Sequence, residues 1–548
     1  MGDGELCLTG AETVGEAIIQ VDVIKDRVVD WPMVETPQRI PASWEEREAL
    51  RRKGQFWTPA WIADAMIAYG LAGGCSEVFD PAVGAGAFLC AAKRLGEASA
   101  TPLVLSGCEI DPSALREALA NGLTSEDLAG VRPDDFVLHP PQGRLEFVVA
   151  NPPYIRHHRL PPAVKDQLRS MALSVTGREI DGRAGLHVYF LIRALSLLAD
   201  RGRLAFIVPA DTVEGVFARR LWAWIAGGFC LDAVITFMPE ASPFPGVDTN
   251  PLILMIRKRA PQDAFWWVKC NVPAPVALVE WVLSGFAAKS TAMPGLTVIR
   301  RRLGEGLDTG LSREPCSASP GDSPVARLGD YARVIRGIAT GDNDYFHMTL
   351  ERARLLGIPA EFLVRAVART RDVPGDVLAE RDLAVLDRQG RPTVLFSPDG
   401  KPIEDFPDPV RRYLMHGERL GLPKRPLLAS RRPWYRMEIR YAPPFLFAYL
   451  GRRNARFIRN WAGAVPLTGF LCVYPRAPGP DAAERLWAVL RHPRTLANIP
   501  LVGKSYGRGA IKVEPRALET LPIPSPVLEE AGLPLPFGAT IRTPPRAP

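Results

Sequence analysis

The sequence lacks the marks of metal-stapled, disulfide-bonded or membrane-spanning chains. Its eight cysteines, Cys7, Cys75, Cys90, Cys108, Cys230, Cys270, Cys316 and Cys472, form no CxxC pair and no cluster with histidine. That pattern speaks against both a zinc site and a disulfide framework. No apolar run comes near the ~20 residues that span a bilayer, so no membrane is expected among its partners. The opening MGDGELCLTG has neither a basic n-region nor an apolar h-region, so a cytoplasmic protein is expected. No internal repeat is found.

What is present is ordinary in bulk. A chain of 548 residues is too long for one core, so two or three domains are expected. Hydrophobic content of 47% and charged content of 23% are those of a globular protein. The formal charge of +7 and pI near 9.0 are compatible with a polyanionic partner without demonstrating one. Glycine (47) and proline (53) point to many turns.

Residues 1–45 are weakly patterned and read as an N-terminal arm. From 46 to 270, short β-rich runs alternate with helical ones. The β-rich runs are SEVFD (76–80), PLVLSGCEI (102–110), LEFVVA (145–150), RLAFIVP (203–209), LDAVITF (231–237) and PLILMIR (251–257). The helical ones are PAWIADAMIAYGL (59–71), AFLCAAKRL (87–95), LHVYFLIRALSLLA (186–199) and FARRLWAWIAG (217–227). Such alternation predicts a mostly parallel sheet covered on both faces, and the hairpin-like FPGVDTNPL predicts one antiparallel edge strand. Residues 271–325, with EGLDTGLSREPCSASPGDSP, read as a linker. Beyond it, 326–525 read as a second, α+β domain and 526–548 as a tail.

The chemistry-bearing residues stand at strand tips. FDPAVGAGAFL (79–89) follows a strand and opens a helix. Gly84 and Gly86 let the backbone approach a ligand, and the helix start offers free N–H groups. Alone this is a weak signal, and it is not the full G-x-G-x-x-G pattern. GCEIDPSAL (107–115) ends a second strand at Glu109, and an acidic residue there suits the hydroxyls of a ribose. PDDFVLHPP (133–141) puts Asp135 and Phe136 at the tip of a third. Any one of these carboxylates taken alone reads as a helix N-cap or a solvated turn. Asp80, Glu109 and Asp135 on successive tips imply an adenosine-bearing cofactor at the carboxyl edge of an open sheet. The next strand ends in Asn-Pro-Pro-Tyr (151–154). By itself this is a turn signal, but two prolines also stop the ladder and stiffen the corner.

GQFWTPAWIADAMIAYG (54–70), FDPAVGAGAF, GCEIDP, DDF and NPPY, in that order, resemble the S-adenosylmethionine-dependent amino-group DNA methyltransferases of the gamma order. The resemblance covers about residues 50–260. It implies a Rossmann-like class I methyltransferase domain with a mostly parallel seven-stranded sheet, followed by an α+β target recognition domain. It also implies that the cofactor is S-adenosyl-L-methionine. Thr58 would help hold its methionine carboxylate, and Asp80 would lie near the methionine part beside Ala82, Gly84 and Gly86. Glu109 would take the ribose hydroxyls, Ile110 would lie against the adenine ring, Asp135 would meet the adenine amino group, and Phe136 would stack nearby. Asp80 stands where many relatives have a longer glutamate.

The implied reaction is N6 methylation of adenine. An exocyclic amine is a poor nucleophile because its lone pair is delocalised into the ring. Two aimed acceptors, the Asn151 side-chain oxygen and the Pro152 carbonyl, would localise that pair, with Pro153 fixing the backbone. The target base must leave the duplex to reach the site, and Tyr154 would stack on it. Phe244, in SPFPGVDTN, is the second aromatic that the resemblance implies; it reads equally as a loop anchor. Arg156, His157 and His158 read as surface or phosphate-contacting residues.

In the second domain RGIATGDNDYFHM (336–348), KRPLLASRRPWYR (424–436), LGRRNARFIRNWAG (450–463) and VGKSYGRGAIKVEPRALETLPIPSP (502–526) interleave basic residues, glycines and aromatics. They resemble, more loosely, the target recognition region of large adenine-specific restriction–modification methylases. Basic loops contact phosphates and aromatics contact bases; a solvated basic face over buried aromatics is the alternative. The expected partners are double-stranded DNA and a cognate restriction endonuclease, with the protein a monomer on DNA. The competing reading is a protein-glutamine or ribosomal RNA methyltransferase with the same tetrad, although those usually lack the early TP segment and the large C-terminal domain. A fused nuclease finds no PD…(D/E)xK cluster.

Overall fold

The structure is a computed structural model describing residues 56–215, 217–244, 250–286, 293–315, 326–438, 440–448, 455–506 and 510–536. It divides into two compact units between residues 315 and 316. The arm read over 1–45 lies outside the described residues.

The first unit is built on nine strands: β1 (Glu77–Asp80), β2 (Val104–Cys108), β3 (Val131–Arg132), β4 (Leu145–Ala150), β5 (Leu198–Pro209), β6 (Cys230–Phe237), β7 (Pro251–Arg257), β8 (Ala264–Cys270) and β9 (Leu296–Arg302). Their order is β3-β2-β1-β4-β5-β7-β6-β8-β9. The pairs from β3 to β5 are parallel, as is β6 with β8. β7 is antiparallel to both β5 and β6, and β9 to β8. Two expectations are corrected here. The sheet has nine strands rather than seven, and the strand that FPGVDTNPL leads into, β7, is antiparallel in the interior between β5 and β6, while the antiparallel edge strand is β9.

Helices cover both faces. They are α1 (Ala60–Leu71), α2 (Ala87–Ala98), α3 (Pro112–Ala120), α4 (Pro162–Thr176), α5 (Leu186–Leu197), α6 (Ala218–Gly228), α7 (Pro275–Leu283) and α8 (Leu303–Thr309). Because both faces are buried, β4 is apolar along most of its length. Phe147 and Val149 join the core under α1 and α7; Val148 and Ala150 join the core under α5 and α6. Helix α1 has every residue from Ile62 to Gly70 buried, since it is enclosed by α2, α7 and the sheet.

The stretch read as a linker, 271–325, contributes α7, β9 and α8 to this unit up to Pro315. The glycines and prolines after 302 set its composition and concealed a strand that continues the ladder of β8. Away from the strand tips, Tyr69 donates to Asp232 Oδ2 at 2.5 Å and Arg257 to Asp232 Oδ1 at 2.6 Å, and this buried carboxylate ties α1 to β6 and β7.

The second unit is α+β. It holds a five-stranded sheet (332–336, 470–475, 445–448, 456–460, 377–378) and a four-stranded one (347–348, 394–396, 363–367, 465–466). The helix Ser525–Glu530 buries Val527 and Leu528, so the expected tail from 526 is packed structure as far as residue 536. No helix among the described residues is long and apolar enough to cross a membrane.

Candidate active site

The chain adds its parallel strands outward from β1 through β2 to β3 on one side and through β4 to β5 on the other, and such a reversal of strand order opens a crevice at their carboxyl ends. Asp80 is the last residue of β1 and is fully buried. Its Oδ1 accepts the Ala82 N–H at 2.9 Å, and its Oδ2 has no partner. Burial pushes the carboxyl up to about 8, opposed by the Ala82 N–H and reinforced by Glu109. The loop then turns through Gly84 (φ +54°) and Gly86 (φ +82°) into α2. A Cβ on Gly86 would lie 2.7 Å from Leu123 Cδ1, whereas one on Gly84 would meet nothing nearer than the Ala82 carbonyl at 3.8 Å. Gly84 therefore faces open space in the turn that follows Asp80.

Glu109 follows β2. Its Oε2 accepts the Gly84 N–H and its Oε1 the Asp111 N–H, both at 2.8 Å, so it braces the glycine loop. Gly107 makes this approach feasible; a Cβ there would stand 2.4 Å from the Asp80 carbonyl. Ile110, 71% exposed, lies uncovered beyond it. Asp135 follows β3 and caps a turn, its Oδ1 accepting from Val137 and Leu138 at 2.8 and 3.1 Å. That turn sends Phe136 inward. The Phe136 ring is buried, 5.7 Å from Phe79 and 5.6 Å from Phe190, so it is core rather than an open stacking face.

The Asn151–Tyr154 corner follows β4. Asn151 Nδ2 donates to the Phe56 carbonyl at 2.8 Å and to Thr58 Oγ1 at 3.1 Å. Its Oδ1 is buried without a partner. The Pro153 carbonyl accepts from Ile155 at 3.0 Å, while none of the described residues donates to the Pro152 carbonyl. Tyr154 donates its hydroxyl to the Ile207 carbonyl at 3.1 Å, which pins the ring. The corner thus presents two free acceptors and one fixed aromatic.

Three further rings surround Tyr154: Phe56 at 5.0 Å, His187 at 6.0 Å and Phe244 at 6.5 Å between centroids. Phe56 also lies 5.7 Å from Phe244. A base sandwiched between two rings needs two stacking gaps of roughly 3.5–4 Å each, so Phe56 occupies part of that space. His187 is buried, with Nε2 3.3 Å from Asp211 Oδ1. The sequence reading missed Phe56, Gly107 and the His187–Asp211 pair. Phe56 stands two residues before the TP dipeptide and could have been noticed; His187 reads as one more residue of an apolar helix.

In the second unit Arg431 and the aromatics beside it are tied inward. Arg431 donates to the Ala339 and Thr340 carbonyls, and Trp434 and Tyr435 are buried. Trp461 is 64% exposed, stacked 4.4 Å from the Arg459 guanidinium. The side chains of Lys504, Arg508 and Lys512 lie outside the described residues. No cluster able to hold a metal occurs among the described residues.

Comparison with known proteins gives one match for each unit. Residues 45–262 match the family described as N-6 DNA Methylase, and residues 317–535 match the C-terminal domain of the type II methyltransferase M.Eco57I. The type II methyltransferase M.AccI of Acinetobacter calcoaceticus is 22% identical over 501 residues, 89% of each chain. M.XamI of Xanthomonas campestris pv. amaranthicola is 28% identical over 489 residues, 86% of this chain and 85% of the relative. The type IIL restriction–modification enzyme MmeI, solved in complex with DNA, aligns with a TM-score of 0.52 at 13% identity. That alignment covers 93% of this chain and 67% of MmeI, and it bears on the fold alone.

Proposed function

We propose that the chain is an N-6 DNA methylase of the type II methyltransferase kind found in restriction–modification systems, and that Asn151–Tyr154 is the corner at which it methylates N6 of adenine. The observation that carries this reading is the pair of free acceptors, Asn151 Oδ1 and the Pro152 carbonyl, beside a ring held by its own hydroxyl. Asn151 Oδ1 and the Pro152 carbonyl accept the two N6 hydrogens and draw the nitrogen lone pair out of the purine ring. This needs position rather than a strong base. Tyr154 stacks on the extruded base, and Phe244 closes its far side once Phe56 has moved.

The cofactor is S-adenosyl-L-methionine, which supplies a methyl group on a positively charged sulphur. The crevice suits it: Asp80 Oδ2 is a buried carboxyl oxygen without a partner, and the Gly84 turn that follows it faces open space. Asp80, Ala82, Gly84 and Gly86 hold the methionine part, with Thr58 at its carboxylate. Glu109 has lone pairs left for the ribose hydroxyls, while Ile110 and the free oxygen of Asp135 meet the adenine. Phe136 backs that pocket from the core instead of stacking in it.

The second unit recognises double-stranded DNA, a cognate restriction endonuclease cuts the same site, and the enzyme acts as a monomer. The test is methyl transfer from labelled cofactor to unmodified DNA. Asn151→Ala abolishes transfer and keeps cofactor affinity; undiminished turnover in that variant removes the corner from the mechanism.

A further inference from the structure

Asn151 is gripped from its amide side by the segment that precedes α1. A backbone carbonyl has lone pairs and no proton, so the 2.8 Å contact with the Phe56 carbonyl allows one orientation of the amide: Nδ2 toward Phe56, Oδ1 away. The second Nδ2 hydrogen goes to Thr58 Oγ1 at 3.1 Å. Both amide hydrogens are spent on this segment, and Oδ1 is left buried and unpartnered. Buried polar atoms avoid that state unless a ligand completes them. The anchor is stiff, because Pro59 (φ −62°) fixes the chain and α1 behind it is buried from Ile62 to Gly70.

We infer that Thr58 is a positioning residue for Asn151: the Phe56 carbonyl fixes which way the amide faces, and the Thr58 hydroxyl, by taking the second Nδ2 hydrogen, holds the amide plane so that Oδ1 meets the amine to be methylated. The inference rests on the reading of Asn151 as the catalytic amide. A flipped amide would present a donor to an amine that is itself a donor. A hydroxyl accepts and donates at once, so Thr58 takes the Asn151 hydrogen while its own proton remains for a carboxylate. Filling of the cofactor site thereby reinforces the orientation of Asn151.

The test uses the full chain with Thr58→Val, which keeps the shape and loses the oxygen, and Thr58→Ser, which keeps the oxygen. The readouts are kcat and KM for S-adenosylmethionine, and the dissociation constant of S-adenosylhomocysteine by calorimetry. Loss of one hydrogen bond to Nδ2 lowers kcat at saturating cofactor by about tenfold in Thr58→Val, while Thr58→Ser stays within about twofold of the parent. A Thr58→Val enzyme with raised cofactor KM, weakened S-adenosylhomocysteine binding and unchanged kcat overturns the inference, since Thr58 would then serve the cofactor alone. Equal loss of kcat in the Val and Ser variants overturns it too. Thr58→Ala repeats the measurement should Thr58→Val not fold. Asn151→Ala, run in parallel, separates the two failures: if it keeps turnover the catalytic reading falls, and if it is dead while Thr58→Val keeps kcat only the present inference falls.

Discussion

Asp80, proposed above to lie at the methionine part of the cofactor, is expected to make cofactor binding depend on pH in a direction fixed by its burial. Its carboxyl is fully buried and pushed up to about 8, with one oxygen held by the Ala82 N–H and the other unpartnered. At pH 7 about a tenth of the free protein carries the charge; at pH 9 about nine-tenths does. A positively charged methionine group next to Oδ2 prefers the ionised form. Affinity therefore falls about tenfold from pH 9 to pH 7, or about 1.4 kcal/mol, and binding at pH 7 releases close to one proton. The same shift acts on stability. Between pH 4 and pH 8 the folded protein holds a proton that the unfolded chain has lost, so the stability of the free protein falls as pH rises through that window. The assay is calorimetric titration with S-adenosylmethionine in buffers of differing ionisation heat, with Asp80→Asn as the comparison. Asp80→Asn is expected to lose both the proton release and the slope. An unchanged slope in that variant would show that the titrating group is elsewhere, and the reasoning would be refuted.

Two other outcomes are expected. Phe56→Ala, which clears the ring 5.0 Å from Tyr154, speeds the rise in fluorescence of 2-aminopurine placed at the methylated position; an unchanged rate means that Phe56 is no obstacle to the entering base. Asp232→Ala leaves the Arg257 guanidinium and the Tyr69 hydroxyl without their shared buried acceptor. It lowers unfolding free energy by about 3–5 kcal/mol in urea titration, with cofactor affinity unchanged.

The parts of the fold legible in the sequence were those with strong local period. β1, β2 and β4 to β7 match the six β-rich runs, because central strands buried on both faces leave near-continuous apolar stretches. β3 has two residues and offers no period at all. β8 and β9 extend an already complete pattern, and β9, LTVIRRR, hides behind its arginines. The candidate site was legible as a set of strand tips, since carboxylates and an Asn-Pro-Pro-Tyr corner are conspicuous after apolar runs. Which of those side chains are enclosed was not, because it depends on packing between distant elements. Phe136 is covered by Phe190, and Asn151 is oriented by residues more than ninety positions earlier. In the second unit the interleaving of arginines with Trp434 and Tyr435 reflects ties to backbone carbonyls over a buried aromatic cluster, which composition alone does not separate from a nucleic-acid surface.

The central claim is that the Asn151 oxygen and the Pro152 carbonyl together activate an adenine amine. Incubating unmodified double-stranded DNA with the purified protein and labelled S-adenosylmethionine, then separating the hydrolysed nucleosides, tests it most directly. The expected result is label in N6-methyldeoxyadenosine, lost in Asn151→Ala. Label in N4-methylcytosine, in RNA or in protein would contradict it.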